Sequence, residues 1–378
     1  MPDEERLTRT AREDDCAYMR QALDLARRGW GQTAPNPMVG AVVVRDGTVV
    51  GEGFHARFGE DHAEVVALRA AGDRARGATL YVTLEPCAHH GKTPPCTEAV
   101  LAAGITRVVA AAVDPSPEAG GGAARLRDRG VTVDLGVEEE PARELNAPFF
   151  HAYASNRPWI VLKLAVSLDG GIADAARERG TAGRWLTGEA ARREVHRLRA
   201  GADAVAVGVG TVLADDPMLT VRNAPPPRVV PRRIVFDSTL RTPLGAALVR
   251  SARLAPTIVF AREPDPARSK ALRAAGVDVR TCESLCTALT ALAAEGVRSL
   301  LVEGGARLAA SFLDAKLVDR LIMFQAPVVL GAGALAAFAH VAPDTGRALD
   351  RLRIVGREAF GDDLMTVYAL GALECSRA

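Results

Sequence analysis

Between His62 and Cys96 the chain sets four chemically matched residues at the ends of expected elements. His62-Ala63-Glu64 opens a helical pattern from Asp61 to Gly72, with Asp61 placed to cap it. The apolar run Thr79 to Leu84 reads as a strand and leads into Glu85-Pro86-Cys87. After Ala88-His89-His90-Gly91-Lys92-Thr93-Pro94-Pro95 comes Cys96, at the head of a second helical pattern, Thr97 to Gly104. His62, Cys87 and Cys96 can share one ion only if the strand end and both helix starts meet. No other stretch constrains the fold as much.

Imidazole and thiolate suit zinc, and three protein ligands leave a fourth position for water, the pattern of a catalytic site. Two thiolates and a neutral imidazole also balance the charge of the ion. A helix N-terminus at Cys96 favours its thiolate. His62 and Glu64, two residues apart, would diverge by about 200° in mid-helix, yet at the first turn they can converge. His62 would then take the metal and Glu64 its water. His-x-Glu, Pro-Cys and a second Cys form the signature of zinc deaminases. In that chemistry an activated water attacks an amino-bearing ring carbon, while Glu64 moves protons to the ring nitrogen and the leaving ammonia. The usual motif has two residues between the cysteines; here there are eight. A closed structural site with His89 or His90 as fourth ligand is the alternative, and it would give Glu64 no task.

The remainder of the chain is α/β. Two domains are expected of 378 residues, with 48% apolar and 25% charged residues to fill and cover two cores. A net charge of +1 and only 4% aromatics argue against a nucleic-acid or membrane surface. The mixed-charge N-terminus is not a signal peptide, and no apolar run reaches the ~18–20 residues of a membrane span. Six cysteines without a secretory signal point to the cytoplasm. Cys282 and Cys286 read as buried small hydrophobes, and Cys16 and Cys375 as incidental.

Upstream of the zinc stretch, Ala17 to Gly29 reads as a helix, and two short β-rich runs around Asp46-Gly47 read as a hairpin. Downstream, strands at 107–113 and 131–135 alternate with helices, giving a sheet with a largely parallel second half. A composition shift near 138–158 sets the expected domains at 1–150 and 151–378. The second pattern again alternates strands and helices, from Trp159 to Tyr368. Gly208-Val209-Gly210 and Gly331-Ala332-Gly333 both lack the third glycine of a dinucleotide fingerprint. Val302-Glu303-Gly304-Gly305-Ala306 runs from a strand through a glycine turn into a helix, and is either a phosphate-holding helix start or only a tight turn.

The long segment Cys87 to Cys96, with Pro35-Asn36-Pro37 and Val39-Gly40 upstream and Asp114-Pro115-Ser116-Pro117 downstream, resembles the bifunctional deaminase/reductase family of riboflavin biosynthesis. Lys163 to Gly170, Trp185 to Gly188, Gly208 to Arg222, Phe236-Asp237-Ser238 and Val302 to Gly305 look like its pyrimidine reductase half. The resemblance implies a cytidine-deaminase-like three-layer α/β domain followed by a dihydrofolate-reductase-like α/β domain. It implies deamination of a 2,5-diamino-6-ribosylamino-pyrimidinone 5′-phosphate by one zinc ion, with Asn36, His55, His89, Lys92 and Asp114 lining the pocket. From the residues alone Asn36 could equally cap a turn and His55 end a strand. The reductase half would then use NADPH to reduce the ribose C1′ imine to a ribityl chain. The implied NADPH site is Val166, Trp185, Thr211, Asp215, Ser238 and the run Gly305, Ala306, Arg307, Leu308, Ala309, Ala310, Ser311. Lys163, Gly183, Arg199, Leu219, Arg222 and Glu303 would meet the aminouracil ribotide, Arg199 and Arg222 as a phosphate clamp. Arg199 could also belong to a solvated helix face beside Arg192, Arg193 and Arg197. Ser116 stands where the pattern commonly has Asn, and Gly183 where it commonly has Ser. A homo-oligomer acting on small phosphorylated pyrimidines is expected, with no nucleic-acid or membrane partner.

Overall fold

The computed structural model describes residues 2–91, 94–174, 185–341 and 352–370, with side chains from Glu13 onward. Lys92, Gly183 and Cys375 fall outside these residues. The chain divides into two compact units between Ala154 and Ser155.

The first unit runs α1 (Pro2–Ala26), β1 (Gly40–Arg45), β2 (Thr48–Phe54), α2 (Ala63–Ala71), β3 (Thr79–Val82), α3 (Cys96–Ala102), β4 (Arg107–Ala110), α4 (Gly122–Asp128), β5 (Thr132–Leu135), α5 (Glu139–Leu145) and α6 (Ala147–Ala154). Its sheet has the order β2-β1-β3-β4-β5. β1 is antiparallel to β2 and β3, while β3, β4 and β5 run parallel. Asp46 and Gly47 both take positive φ, 50° and 73°, the twist a tight hairpin needs. Alternate residues of the strands serve opposite faces. Val43, Leu80 and Val108 pack with Ala67, Val100 and Leu126 on one side. Val42, Tyr81 and Val109 pack with Met19, Leu23 and Phe150 on the other. Three layers result.

Small residues let α2 lie close on the sheet. A Cβ on Gly51 would fall 2.3 Å from the Ala67 carbonyl oxygen, and one on Gly53 would fall 2.5 Å from that of Ala63. The start of α2, where His62 and Glu64 stand, is therefore fixed by backbone contact with β2. On the opposite face, Asp15 ties α1 to the strands. Its carboxylate accepts from Tyr81 Oη at 2.7 Å and from two Arg107 nitrogens at 2.8 and 2.9 Å.

The second unit comprises β6 (Trp159–Val166), β7 (Gly171–Ala173), α7 (Glu189–Ala200), β8 (Ala204–Gly208), α8 (Val209–Asp215), β9 (Arg232–Phe236), α9 (Ala247–Arg250), β10 (Thr257–Ala261), α10 (Pro266–Ala274), β11 (Asp278–Thr281), α11 (Leu285–Ala294), β12 (Ser299–Val302), α12 (Ala306–Asp314), β13 (Arg320–Gln325), β14 (Leu335–Ala336), β15 (Arg353–Phe360) and β16 (Asp363–Ala369). The main sheet has the order β11-β10-β9-β8-β12-β6-β13-β16-β15. It is parallel from β11 to β13, and β16 and β15 add an antiparallel edge.

Two local expectations change, and one helix was not foreseen. Asp61 does not cap α2: His62 occupies the cap position, in extended conformation and with no side-chain cap bond. The Asp61 carboxylate instead accepts from Arg69 at 2.7 Å, and its carbonyl accepts from His55. Cys286 is exposed and Cys282 only partly buried, because Cys282 precedes α11 and Cys286 sits in its first turn. Gly208 ends β8 directly at α8, a helix that glycine and β-branched residues concealed in the sequence.

Candidate functional sites

His62 at the head of α2, Cys87 beyond β3 and Cys96 at the head of α3 converge, their ligand atoms all within 4.8 Å of one another. His62 Nδ1 lies 3.1 Å from Cys96 Sγ and 3.7 Å from Cys87 Sγ. A tetrahedral ion about 2.3 Å from sulfur and about 2.0 Å from nitrogen holds such atoms about 3.5 Å apart, so this donor set fits zinc. Among the described residues neither His89 nor His90 joins the group. The two thiols share one proton unequally. The hydrogen bond with Cys96 pulls the Cys87 thiol down, while the same bond and burial push Cys96 up. A divalent cation between them favours both thiolates.

Glu64 is the second residue of α2 and 3% exposed. Burial raises its pKa, opposed by the nearby His62, and its carboxyl hydrogen-bonds Cys96. A carboxyl with a raised pKa beside a metal-ligand cluster can take a proton and return it.

Asn36 and the Asp61 carbonyl flank His55. Asn36 Nδ2 lies 3.3 Å from His55 Nε2, and His55 Nδ1 lies 3.1 Å from the Asp61 carbonyl oxygen. A neutral ring with its proton on Nδ1 satisfies both contacts, and burial lowers the pKa of His55 in that sense. The ring stands edge-on to His62 with centroids 5.4 Å apart. Asn36 is thus tied to His55, and its loop is held by Asn146, which accepts from the Met38 amide and donates to the Met38 carbonyl, both at 2.8 Å.

Asp114 is brought in by a residue the sequence reading passed over. Glu85, 5% exposed, accepts from the Asp114 amide at 3.1 Å and from the Ala123 amide at 2.8 Å. A carboxylate ending a strand two residues before a ligand cysteine was the available signal. Burial raises the pKa of Asp114, whose carboxylate accepts from the Ser116 amide at 2.8 Å. Ser116 is itself buried, its hydroxyl accepting from the Ala119 amide. His89 Nδ1 is buried without a hydrogen-bond partner among the described residues.

In the second unit, Val166, Gly208, Phe236 and Val302 all end adjacent parallel strands at one edge, in the order β9-β8-β12-β6. Ligands of open parallel sheets bind outside that edge. Thr211, Asp215, Ser238 and the α12 segment follow directly from these ends. Thr211 Oγ1 lies 3.6 Å from where a Cβ on Gly305 would be, so α8 and α12 start side by side. Trp185 is 70% exposed, with Arg192 5.5 Å over its ring.

Beside this edge lies a charged cluster. Arg199 on α7 grips Glu303 with two nitrogens, at 2.5 and 2.8 Å, and donates a third to the Thr220 carbonyl at 2.9 Å. Both side chains of this pair are 11% exposed, so Arg199 does not belong to a solvated helix face. Burial opposes the charge of Glu303, but Arg199 and then Lys163 hold its carboxyl below the usual range. Burial pushes the Lys163 amine down. Leu219 is buried at a positive φ of 53°, and Arg222 is exposed. The guanidinium donors of Arg199 are thus taken up by Glu303 and Thr220, while among the described residues that of Arg222 contacts Met218 Sδ, at 3.4 Å.

A zinc-fitting triad beside a buried carboxyl, on a three-layer α/β unit, followed by a mainly parallel unit with a charged crevice edge, defines a deaminase-type domain joined to a reductase-type domain. The chain matches the model of the cytidine and deoxycytidylate deaminase zinc-binding region over residues 12–112 and that of the RibD C-terminal domain over residues 158–366. It is 46% identical to the riboflavin biosynthesis protein RibD of Aquifex aeolicus, over 85% of this chain and 89% of that one. With the Escherichia coli RibD it shares 43%, over 84% and 89%. The solved structure of Acinetobacter baumannii RibD superposes with a TM-score of 0.81 at 37% identity, covering 95% of this chain and 99% of that one. A Thermotoga maritima diaminohydroxyphosphoribosylaminopyrimidine deaminase/5-amino-6-(5-phosphoribosylamino)uracil reductase gives 0.80 at 35%, with the same coverage. The chain belongs to the RibD family.

Proposed function

We propose that this bifunctional riboflavin-biosynthesis enzyme deaminates the diaminopyrimidinone ribotide in its first unit and reduces the resulting aminouracil ribotide in its second. The convergence of His62, Cys87 and Cys96 beside buried Glu64 carries the reading. These three residues hold zinc, which when bound lowers the pKa of water towards ~7. Glu64 takes one proton from the attacking water and gives it to the ring nitrogen, then carries the second proton of that water to the leaving amine. Asn36, His55, His89, Lys92 and Asp114 bind and orient the substrate, Lys92 suiting its phosphate. Among the described residues the buried Nδ1 of His89 has no partner, which supports a part in binding substrate.

In the second unit NADPH supplies the hydride for the C1′ imine of the opened ribose. Val166, Trp185, Thr211, Asp215, Ser238 and residues 305–311 bind the cofactor along the strand edge. Lys163, Gly183, Leu219 and Glu303 bind the ribotide, and Arg222 meets its phosphate. The position of Arg199 supports a different part from that of direct clamp: it neutralises Glu303 and anchors the loop at Thr220. We also assign the enzyme to the cytoplasm, where its five described cysteines, all free, would persist as thiols. A homo-oligomer is favoured by the exposed edge strand β15, flanked by exposed Leu352 and carrying exposed Ile354.

One assay tests the pair of activities: purified protein, the diaminopyrimidinone ribotide and NADPH, with ammonia and NADPH absorbance followed together. Ammonia release followed by NADPH consumption is expected. NADPH consumption that precedes ammonia release would overturn the order of the steps.

A further inference from the structure

The stretch from Asp216 to Asn223 concentrates backbone strain. Asp216, Leu219 and Asn223 all take positive φ, 40°, 53° and 54°. Each such non-glycine residue is strained, so the conformation persists only where the surroundings over-determine it. Four side-chain contacts do so. Asp216 accepts from the Ala247 amide at 2.6 Å, and fully buried Arg233 donates to the Met218 carbonyl at 3.2 Å. Arg199 donates to the Thr220 carbonyl, and the Arg222 amide donates to His196 Nδ1 at 3.1 Å.

The last contact bears directly on the phosphate. We propose that His196 is a positioning residue for the reductase step, fixing the backbone of Arg222 so that its guanidinium meets the substrate phosphate. The inference rests on the reading of Arg222 given above. His196 lies on α7 one turn before Arg199, and the charged groups facing it are Arg199, Arg222 and Glu303. To accept from an amide, Nδ1 must be unprotonated, which leaves the ring proton on Nε2. Burial, then Arg199 and Arg222, lower its pKa, against the opposing pull of Glu303, so the accepting form prevails at neutral pH. Protonation converts Nδ1 from acceptor to donor and breaks the contact.

Steady-state reductase kinetics of the full chain test this, with the aminouracil ribotide varied at saturating NADPH across pH. His196→Ala should raise KM about tenfold, the equivalent of one hydrogen bond, with kcat within about twofold. His196→Asn presents an amide oxygen that can accept the same N–H, and should bring KM most of the way back. The native enzyme should show KM rising as pH falls through the lowered histidine pKa, more steeply than His196→Asn, in which only the substrate phosphate still titrates. An unchanged KM in His196→Ala overturns the proposal. So does a joint fall of kcat and stability that asparagine fails to rescue, since that marks a purely structural residue. Arg222→Ala separates the two readings: if it raises KM while His196→Ala does not, only the positioning role falls. If Arg222→Ala leaves KM unchanged, the phosphate reading falls with it.

Discussion

Glu64 shows how little separates a ligand from a proton carrier at this site. It stands two residues from His62, is 3% exposed, and has its pKa raised by burial. Glu64→Gln keeps the size and the hydrogen-bonding shape but cannot cycle a proton. It should lower ammonia release by about 10²–10⁴-fold, the usual worth of a positioned general acid–base group. Zinc content, measured by metal analysis of the same preparation, should stay at the native level, because the three ligands are untouched. Ammonia release within a few fold of native would remove Glu64 from the chemistry. The residue scale also exposes what sequence reading could not rank. Arg199 and Arg222 looked equivalent as cations, but only tertiary contacts divert Arg199 to Glu303 and leave Arg222 exposed. His196 and Asn146 gave no motif at all, because their roles consist of contacts made across 26 and 108 residues of chain.

At the scale of elements, two contacts hold the first unit's layers and each can be broken singly. The approach of β2 to α2 leaves no space for a side chain at Gly53, whose Cβ would fall 2.5 Å from both the Ala63 carbonyl oxygen and the Ala67 amide nitrogen. Both are backbone atoms that cannot turn away. Gly53→Ala should destabilise the first unit by about 1–3 kcal/mol, the range for overpacking, and reduce deaminase activity by displacing the start of α2. A denaturation midpoint unchanged from native would contradict this close packing. Asp15 joins α1 to the sheet across the opposite face. Burial would raise its pKa, but the hydrogen bonds from Arg107 and Tyr81 prevail and hold it below the ordinary carboxylate value. The stabilisation is therefore present above pH ~4 and is lost as pH falls through the folded-state pKa. The difference in melting temperature between native protein and Asp15→Asn should accordingly be full at neutral pH and shrink in acid. A difference independent of pH would show that packing, not charge, makes the bond.

For the whole molecule, the two chemistries draw on separate residues: the zinc triad lies wholly within one unit and the Lys163–Arg199–Glu303 cluster wholly within the other. Removing zinc with a chelator should abolish ammonia release yet leave NADPH oxidation intact when deaminated substrate is supplied. Loss of both activities in parallel would mean that the second unit depends on the metal of the first. Much of this architecture was legible beforehand. Asp46-Gly47 between β-branched runs specified the hairpin, and the alternation of strands and helices specified parallel sheets, because both depend on local backbone preference and side-chain period. α8 was not legible, since glycine and β-branched residues disfavour a helix that packing of Val209 and Val212 nonetheless stabilises. The sequence by itself determined the zinc donor set, the neighbouring carboxyl and the family, because residue types at element ends carry that chemistry wherever they fold. Only the tertiary structure decided that His62 rather than Asp61 heads α2, that Glu85 seats Asp114, and that Arg199 spends its charge on Glu303. Those outcomes depend on which distant groups come within hydrogen-bond distance, and the spacing of residues along a chain does not encode that distance.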